Sequence, residues 1–253
     1  MKEERCILQI DKDPKAVIEP DYEKQPFKFH SKLLFAFVPK EDIDNFLEQV
    51  PHKVLGSYDT ISFQPDIYEI ERNGEYFTLC QAPLGAPAAT QLLDWLIAYG
   101  VKKVLAFGNA GALVDLPENE MFIPTEAIRD EGTSFHYLED SLTVDLNTEF
   151  LSQVKKAITE LDYKYEQVTT WTTYAFFRET SKKVKQFRDL GASVVEMECS
   201  ALAACAQFRK VEFAQILFTA DTLANEQNYD PRDGGTDSHR RGLEICFEIL
   251  QKL

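Results

Sequence analysis

Apolar and polar positions along the chain follow two alternating patterns, short continuous apolar runs and helical spacing. Continuous apolar runs at residues 33–38 and 104–107 predict buried strands. Two further strand-like segments, IYEIER and EYFTLCQA, flank Asn73 and Gly74, and the Asn-Gly pair predicts a tight hairpin between them. Because a hairpin joins antiparallel strands, we expect the sheet to be mixed rather than wholly parallel.

Helical spacing of apolar residues predicts helices at four places, residues 88–99, 150–161, 181–190 and 243–253. An alanine-rich segment near 200–208 predicts a fifth helix, and further strands are predicted at 165–173, 193–199 and 213–220. This alternation predicts a three-layer α/β/α fold with a mixed, strongly twisted central sheet. Since no linker composition interrupts it, we expect one domain over residues 1–253, with residues 1–30 as an N-terminal extension.

The charge balance disfavours polyanionic partners. The 253 residues include 27 Lys and Arg against 42 Asp and Glu, which gives a formal net charge of −15. A chain of this charge repels phosphate backbones and anionic lipid, so neither a nucleic acid nor a membrane is an expected partner. The expected partner is a small molecule.

The cysteines and the N-terminus indicate a compartment. The chain has five cysteines and no C-x-x-C pair, which is not the pattern of a disulfide framework. The N-terminal segment is charged where a signal peptide has an apolar core, and no apolar run approaches the ~20 residues that span a bilayer. These features predict a soluble, cytoplasmic protein.

Glycines mark two predicted strand ends, where open α/β sheets bind their ligands. The chain has only 11 glycines, yet Gly85, Gly108 and Gly111 fall in the segments PLGAP and GNAG. Glycine there allows backbone N–H groups to approach an anion, although a plain strand-to-helix turn also explains each loop. The spacing G-x-x-G is not the dinucleotide fingerprint G-x-G-x-x-G, so a nicotinamide cofactor is not indicated.

Three carboxylates stand at other strand ends. Glu196 and Glu198 are two residues apart, so we expect them on one side of a strand with apolar neighbours. Buried carboxylates meet cations or ligand hydroxyls, which predicts a binding site; the alternative is that they cap the following helix. Asp221 follows an apolar strand and suits a general acid, although a helix cap or a loop-ordering role is also open.

Aromatic residues offer a surface for a flat ligand. Phe176 and Phe177 adjoin Arg178, and this combination of apolar rings and a planar donor suits a heteroaromatic base. The alternative is that the two phenylalanines belong to the core. The four histidines, at positions 30, 52, 136 and 239, show no metal-ligand spacing, so no metal ion is predicted.

Six stretches together resemble the nucleoside phosphorylase family, which includes hexameric purine nucleoside phosphorylases, uridine phosphorylases and related nucleosidases. They are QAPLGAPAAT, GVKKVLAFGNAGAL, IPTEAIRDEGTSFHYL, WTTYAFFRET, GASVVEMECSALAA and ILFTADTL, and they occur in the family's order. The resemblance implies a nucleoside phosphorylase-like fold, a homodimer or homohexamer, and a glycosyltransferase-type enzyme that needs no metal or organic cofactor.

The resemblance also implies roles for individual residues. Asp221 matches the acid that donates a proton to N7 of the purine, and Glu198 matches the acid that binds the ribose hydroxyls. Cleavage of an N-glycosidic bond develops positive charge on the ribose, so both carboxyl groups suit the chemistry. The remaining site residues are Met197 and Glu196 at the ribose, Phe176, Phe177, Arg178, Ala110 and Gly111 at the base, and Gly108 and Asn109 at the phosphate or other nucleophile.

The phosphate side departs from the family pattern. Phosphorylases of this family bind phosphate through a G-D-P-x-R loop, whereas this region reads FAFVPKEDI, with Asp42 near the arginine's place. Ala106 stands at a second expected arginine position, and Asn109 replaces the usual Ser or Thr. Bidentate arginine pairing is the main means of binding phosphate, and Lys40, Arg129 or a neighbouring subunit are the candidates to replace it.

The resemblance implies an enzyme that cleaves the N-ribosyl bond of a nucleoside, with a purine favoured. The expected products are the free base and ribose 1-phosphate, with phosphate as co-substrate. The missing arginines leave two alternatives open: a nucleosidase that uses water, and a nucleoside-binding protein without catalysis on the same scaffold.

Overall fold

Ten β-strands and six α-helices alternate along residues 5–253, the part of the chain that the computed structural model describes. The strands are β1 (Lys32–Ala36), β2 (His52–Ser57), β3 (Asp66–Arg72), β4 (Glu75–Gln81), β5 (Lys103–Ala112), β6 (Met121–Asp130), β7 (Thr143–Asp145), β8 (Glu166–Thr173), β9 (Ala192–Glu196) and β10 (Glu212–Thr222). The helices are α1 (Lys40–Leu47), α2 (Ala86–Ala98), α3 (Glu149–Glu160), α4 (Ser181–Asp189), α5 (Cys199–Arg209) and α6 (Thr236–Gln251). Short 3₁₀ turns lie at Cys6–Leu8, Thr133–His136 and Phe176–Arg178.

The ten strands form one mixed sheet. Its order is β10-β6-β8-β9-β5-β1-β4-β3-β2, with β7 paired to β6 and a further pairing between β10 and β5. Because β10 pairs with both β5 and β6, five strands close into a ring, from which β1, β4, β3 and β2 extend. The expected α/β fold with a mixed sheet is confirmed, whereas the ring is a feature that the strand pattern does not predict.

Helices pack on the sheet, and its parallel strands define the edge at which the candidate site forms. The helices α1 and α3 pack on α6, which lies on β1, β5 and β10, while α2 packs on α5 and α4 lies against β9. The strands β4, β1, β5 and β10 are mutually parallel. Their carboxyl ends therefore meet at one edge of the sheet, which is where open α/β sheets bind their ligands.

Several predicted elements are confirmed. The strands β3 and β4 form the predicted hairpin, with Arg72 opposite Glu75 and with positive φ at Asn73 and Gly74, as a type I′ turn requires. The helices α2, α3, α4, α5 and α6 lie where helical spacing or alanine content predicts them.

Two predicted boundaries are wrong. The strand β5 continues to Ala112, so GNAG is not a loop: Gly108 pairs with Leu217 of β10, and Gly111 pairs with Val195 of β9. The strand β9 ends at Glu196, which leaves residue 198 in the bend before α5. Pairing with two neighbouring strands satisfies the backbone of β5, and this pairing is invisible in the local sequence.

The predicted N-terminal extension is described from residue 5 onward, and its first four residues lie outside the described range. Near its end, Phe27 and Phe29 pack against Trp95 and Tyr99, with ring centroids between 5.2 and 6.3 Å apart. These aromatic contacts attach the segment to α2. Within residues 5–253 no helix has the length and apolar character needed to cross a membrane.

Candidate active site

The carboxylate of Glu196 organises the turn between β9 and α5. Its Oε1 accepts hydrogen bonds from the hydroxyls of Thr170 at 3.2 Å and Thr172 at 2.6 Å. Its Oε2 accepts from the backbone amides of Glu198 at 2.8 Å and Cys199 at 2.6 Å. Four protein donors thus occupy both oxygens. Glu196 therefore acts as a helix cap, which is the alternative to a binding role. Its position does not fit the predicted contact with the ribose.

Glu198 connects two of the strand ends singled out in the sequence. Its Oε1 accepts a hydrogen bond from the Gly85 amide at 2.6 Å, which joins the bend after β9 to the loop before α2. Gly85 has a φ of 94°, a left-handed conformation that glycine adopts without strain. Burial, and then the neighbouring Glu196 carboxyl, raises the pKa of Glu198. Met197 is half-buried in the same bend.

A cavity of about 350 Å³ lies beside the end of β10 and the start of α4, and we call it the aromatic cavity. Its lining residues are Phe176, Phe177, Glu179, Ser181, Val184, Asp221, Leu223, Asn225, Glu226 and Tyr229. Three predicted site residues, Phe176, Phe177 and Asp221, therefore meet here. The two phenylalanine rings have centroids 3.9 Å apart and are 46% and 87% exposed, so they are not core residues. Exposed rings beside a cavity suit a flat ligand.

Three carboxyl groups line the aromatic cavity; one of them forms an ion pair, and the Asp221 carboxyl interacts with the Tyr229 hydroxyl. Glu226 forms an ion pair with Arg188. Neither Asp221 nor Glu179 forms an ion pair with any residue in the range 5–253. Burial, and then the charge of Asp221, raises the pKa of Glu179 to about 7, while Lys183 acts in the opposite direction. Glu179 is a site residue that the sequence patterns do not identify.

The two residues of β5 predicted at the base differ in position. A Cβ on Gly111 would stand 3.1 Å from Oδ1 of Asp221 and 3.0 Å from Leu223, so glycine leaves room for both side chains at the aromatic cavity. Ala110 is buried in a small apolar cluster with Phe122 and does not line the cavity. A direct contact with a base is therefore consistent with the position of Gly111 and not with that of Ala110.

Arg178 lies outside the aromatic cavity. It lines a neighbouring cavity of about 360 Å³, together with Asp130, Thr173, Tyr174, Ala175, Thr180 and Lys183. Phe176 and Phe177 do not line this neighbouring cavity, so the predicted base contact does not fit the position of Arg178.

The side chain of Asn109 is held by the N-terminus of α6. Its Nδ2 donates to the Gly235 carbonyl at 3.2 Å and to Nε2 of His239 at 2.8 Å, and its Oδ1 accepts from the Ser238 hydroxyl at 2.9 Å. At Gly235 an added Cβ would stand 1.6 Å from Nδ2 of Asn109, so this contact requires glycine. We call these four residues and Asp42 the Asn109 cluster.

Asp42 and His239 supply the ionisable groups of the Asn109 cluster. Asp42 is buried in the first turn of α1, where its Oδ1 accepts from Nε of Arg240 at 3.2 Å. Nε2 of His239 accepts from Asn109, so Nδ1 carries the proton; it lies 3.9 Å from Oδ2 of Asp42. Burial lowers the pKa of His239, while Asp42 and Asp233 act in the opposite direction. The positions of Asp42 and His239 in the sequence do not indicate that the two side chains meet.

A third cavity, of about 670 Å³, opens beside the Asn109 cluster, with Phe37, Pro39, Leu84 and His239 in its lining. Gly108 brings β5 close to this wall, since a Cβ on it would stand 2.8 Å from Cβ of Phe37. The backbone of Gly108 belongs to the ladder between β5 and β10, so the phosphate-cradling loop predicted there is not formed.

The cations expected to replace the missing arginines are engaged elsewhere. Lys40 forms an ion pair with Asp44. The guanidinium of Arg129 donates to the Ser134 and Ser141 hydroxyls and to backbone carbonyls at positions 138, 139 and 141. At the second expected arginine position, residue 106 is core alanine. Within residues 5–253, no three or more His, Cys, Asp or Glu side chains are grouped to hold a metal ion.

Sequence comparisons relate the chain to known proteins. The model of the family described as the Phosphorylase superfamily matches residues 34–249. A DeoD-type purine nucleoside phosphorylase of Shewanella oneidensis is 23% identical over 173 residues, which cover 67% of this chain and 73% of that protein. Other curated relatives are matched over less of their length, down to about half (54%).

Solved structures of similar proteins share the fold. A purine nucleoside phosphorylase from Toxoplasma gondii, in complex with immucillin-H, has a TM-score of 0.74 at 16% identity, covering 89% of this chain and 90% of that one. A 5′-methylthioadenosine/S-adenosyl homocysteine nucleosidase from Campylobacter jejuni has a TM-score of 0.72 at 18% identity, covering 88% and 100%. Phosphorylases and nucleosidases both occur on this fold, so the likeness does not distinguish phosphate from water as the second substrate.

Proposed function

The chain belongs to the phosphorylase superfamily, and on this premise we propose that it is an N-ribosyl hydrolase that cleaves a nucleoside, with a purine favoured and water as the nucleophile. One observation carries the choice of water: Asp42, which the sequence has near the family's arginine position, lies buried in the Asn109 cluster, with its carboxylate 3.9 Å from the imidazole of His239. This carboxylate, whose ion-pair partner Arg240 is mostly exposed, repels a phosphate anion but imposes no such penalty on a neutral water.

In the proposed reaction the base occupies the aromatic cavity. The exposed rings of Phe176 and Phe177 provide a flat apolar surface for it. Asp221, which lines the same cavity and forms no ion pair within residues 5–253, donates a proton to N7 of the purine as the bond to the ribose breaks. Proton transfer to a leaving group contributes a factor of about 10²–10⁴ to enzymatic rates, so Asp221 is the residue on which turnover depends most.

The sugar is held by Glu198. Its carboxyl group is buried and anchored by the Gly85 amide, in a turn that Glu196 holds through four hydrogen bonds. In the ionised form this group accepts hydrogen bonds from the ribose hydroxyls and stabilises the positive charge that develops on the ring. The protons balance, because Asp221 gives one proton to the departing base and the attacking water releases one proton to solvent, from which Asp221 is protonated again.

A panel of purine and pyrimidine nucleosides tests the proposal, each incubated with and without inorganic phosphate. We expect release of the free base and ribose from at least one purine nucleoside, at a rate that phosphate does not change. The Glu198→Ala variant is expected to lose about 10²-fold or more in kcat/KM. Glu71 is exposed and forms no ion pair within residues 5–253, so Glu71→Gln provides the matched control, which is expected to retain full activity.

Two outcomes would contradict the proposal. Formation of ribose 1-phosphate would establish phosphorolysis, the reaction that the family resemblance implies first. Calorimetric binding of a nucleoside without base release over hours would indicate a binding protein on the same scaffold.

A further inference from the structure

The aromatic cavity contains a carboxyl group that has no role in the proposed proton transfer. Of its three carboxyl groups, Glu226 is neutralised by Arg188, and Asp221 is the proposed proton donor. Glu179 lines the same cavity, forms no ion pair among residues 5–253, and has no part in the reaction as described above. A half-buried carboxyl group without a partner beside a cavity is available to a ligand.

The groups around Glu179 keep its carboxyl free for a ligand. The one cation that acts on it, Lys183, has its ammonium 2.6 Å from the Asp130 carboxylate, so Lys183 already has a partner. The remaining ionisable groups of the cavity are Asp221, Glu226 and Tyr229.

We propose that Glu179 recognises the 6-substituent of the purine and favours a 6-amino over a 6-oxo base. This inference rests on the proposed function, because it takes the ligand of the aromatic cavity to be a purine whose N7 faces Asp221. N7 and the 6-substituent share one edge of the purine, so a residue that faces the 6-position must neighbour the residue that faces N7. Glu179 meets this condition, since its side chain and that of Asp221 line the same cavity.

The chemistry of the purine edge determines the direction of the preference. Adenine presents N7 as an acceptor and its 6-amino group as a donor, whereas a 6-oxo purine presents two acceptors. An ionised Glu179 is an acceptor, so it pairs with the amino group and repels the oxo group. Because the pKa of Glu179 is raised to about 7, a protonated fraction that donates to a 6-oxo group grows as the pH falls.

Calorimetric binding of free adenine and hypoxanthine tests the inference without requiring turnover. For the wild-type protein at about pH 8, we expect adenine to bind at least about tenfold more tightly than hypoxanthine. The ratio of the two affinities is expected to fall at least about threefold by about pH 6. In Glu179→Gln, whose amide both donates and accepts, the ratio is expected to be near one and independent of pH.

Two comparisons keep the inference separate from the proposed function. Glu179→Ala removes both hydrogen-bonding modes and is also expected to abolish the pH dependence, while the control Glu71→Gln is expected to keep the wild-type ratio at each pH. Base preference that is unaffected in both Glu179 variants would overturn the inference, even if the enzyme releases purines. Discrimination that depends on Glu179 in the absence of base release would uphold it while the proposed hydrolysis fails.

Discussion

The aromatic cavity and the Asn109 cluster lie among the same group of strand ends, yet their polar side chains are used in opposite ways. In the aromatic cavity, Asp221 and Glu179 form no ion pair with any of the described residues. In the Asn109 cluster, Asn109 bonds to three residues of the α6 N-terminus, and Asp42 accepts from Arg240. The first region leaves two carboxyl groups, those of Asp221 and Glu179, without an ion-pair partner among the described residues, whereas the second region uses its polar groups to join α6 to the sheet.

This difference distinguishes polar residues that stabilise the fold from polar residues that are available to a ligand. A buried hydrogen-bonding group that loses its partner costs about 1–3 kcal/mol, so replacing a paired residue destabilises the fold. Replacing an unpaired residue beside a cavity removes only what it does for the ligand. Substitutions in the two regions should therefore affect different measurements.

The largest effect that we expect is the loss of turnover in the Asp221→Asn variant. The amide cannot supply a carboxyl proton to the leaving base, so we expect kcat/KM for base release to fall by about 10²–10³-fold. The thermal unfolding midpoint is expected to stay unchanged, since Asp221 has no ion pair within residues 5–253 and an amide oxygen can still accept a hydrogen bond from the Tyr229 hydroxyl. Steady-state kinetics and calorimetric unfolding check the two halves of this prediction. Normal turnover in the variant would remove Asp221 from the reaction.

The next effect is on stability, in Asn109→Ala. The substitution leaves the Gly235 carbonyl, Nε2 of His239 and the Ser238 hydroxyl without their Asn109 partner. We expect the free energy of unfolding to decrease by about 2–3 kcal/mol, measured by urea denaturation. Asn45→Ala, on the exposed face of α1, is the matched control and is expected to change stability little. Equal stabilities of the two variants would show that the Asn109 cluster does not hold α6.

The smallest effect is a pH dependence of stability that originates at His239. Burial lowers the pKa of His239 in the folded protein, so the unfolded chain takes up this proton at a higher pH. Stability from this group is therefore lost as the pH falls through the ordinary histidine value of about 6.5, and the loss levels off below the lowered folded value. Asp42 and Asp233 oppose the shift, which keeps the effect small.

The measurement compares the wild-type protein with His239→Gln, whose side-chain oxygen can still accept from Asn109. Urea denaturation between about pH 7.5 and about pH 5.5 should show the wild-type protein losing more stability than the variant. Parallel stability curves would mean that His239 does not titrate differently in the folded and unfolded states.

Much of the fold could be predicted because its elements carry local signals. The hairpin follows from Asn73 and Gly74, and α3 follows from apolar residues at helical spacing. The strand β6 gives no such signal, because Pro124 interrupts its apolar run at a register shift against β8. The helix α1 spans only eight residues, too few for its spacing to stand out.

The candidate site could be predicted only in part. Phe176, Phe177 and Asp221 meet in one cavity as the family resemblance implies. Glu196 and Glu198 look alike in the sequence, but four donors occupy the oxygens of Glu196, whereas Glu198 reaches across to the Gly85 loop. The position of a carboxyl group in a strand pattern does not tell which donors surround it.

The sequence by itself determined the alternation of strands and helices, the acidic charge, the family pattern and the absence of the expected arginines. Only the tertiary structure decided which polar side chains are already paired and which remain open to a ligand. The physical reason is distance along the chain: the bond from Gly85 to Glu198 joins residues 113 positions apart, and that from Asn109 to His239 joins residues 130 apart. Local spacing carries no record of such partners, so pairing is a property of the folded chain alone.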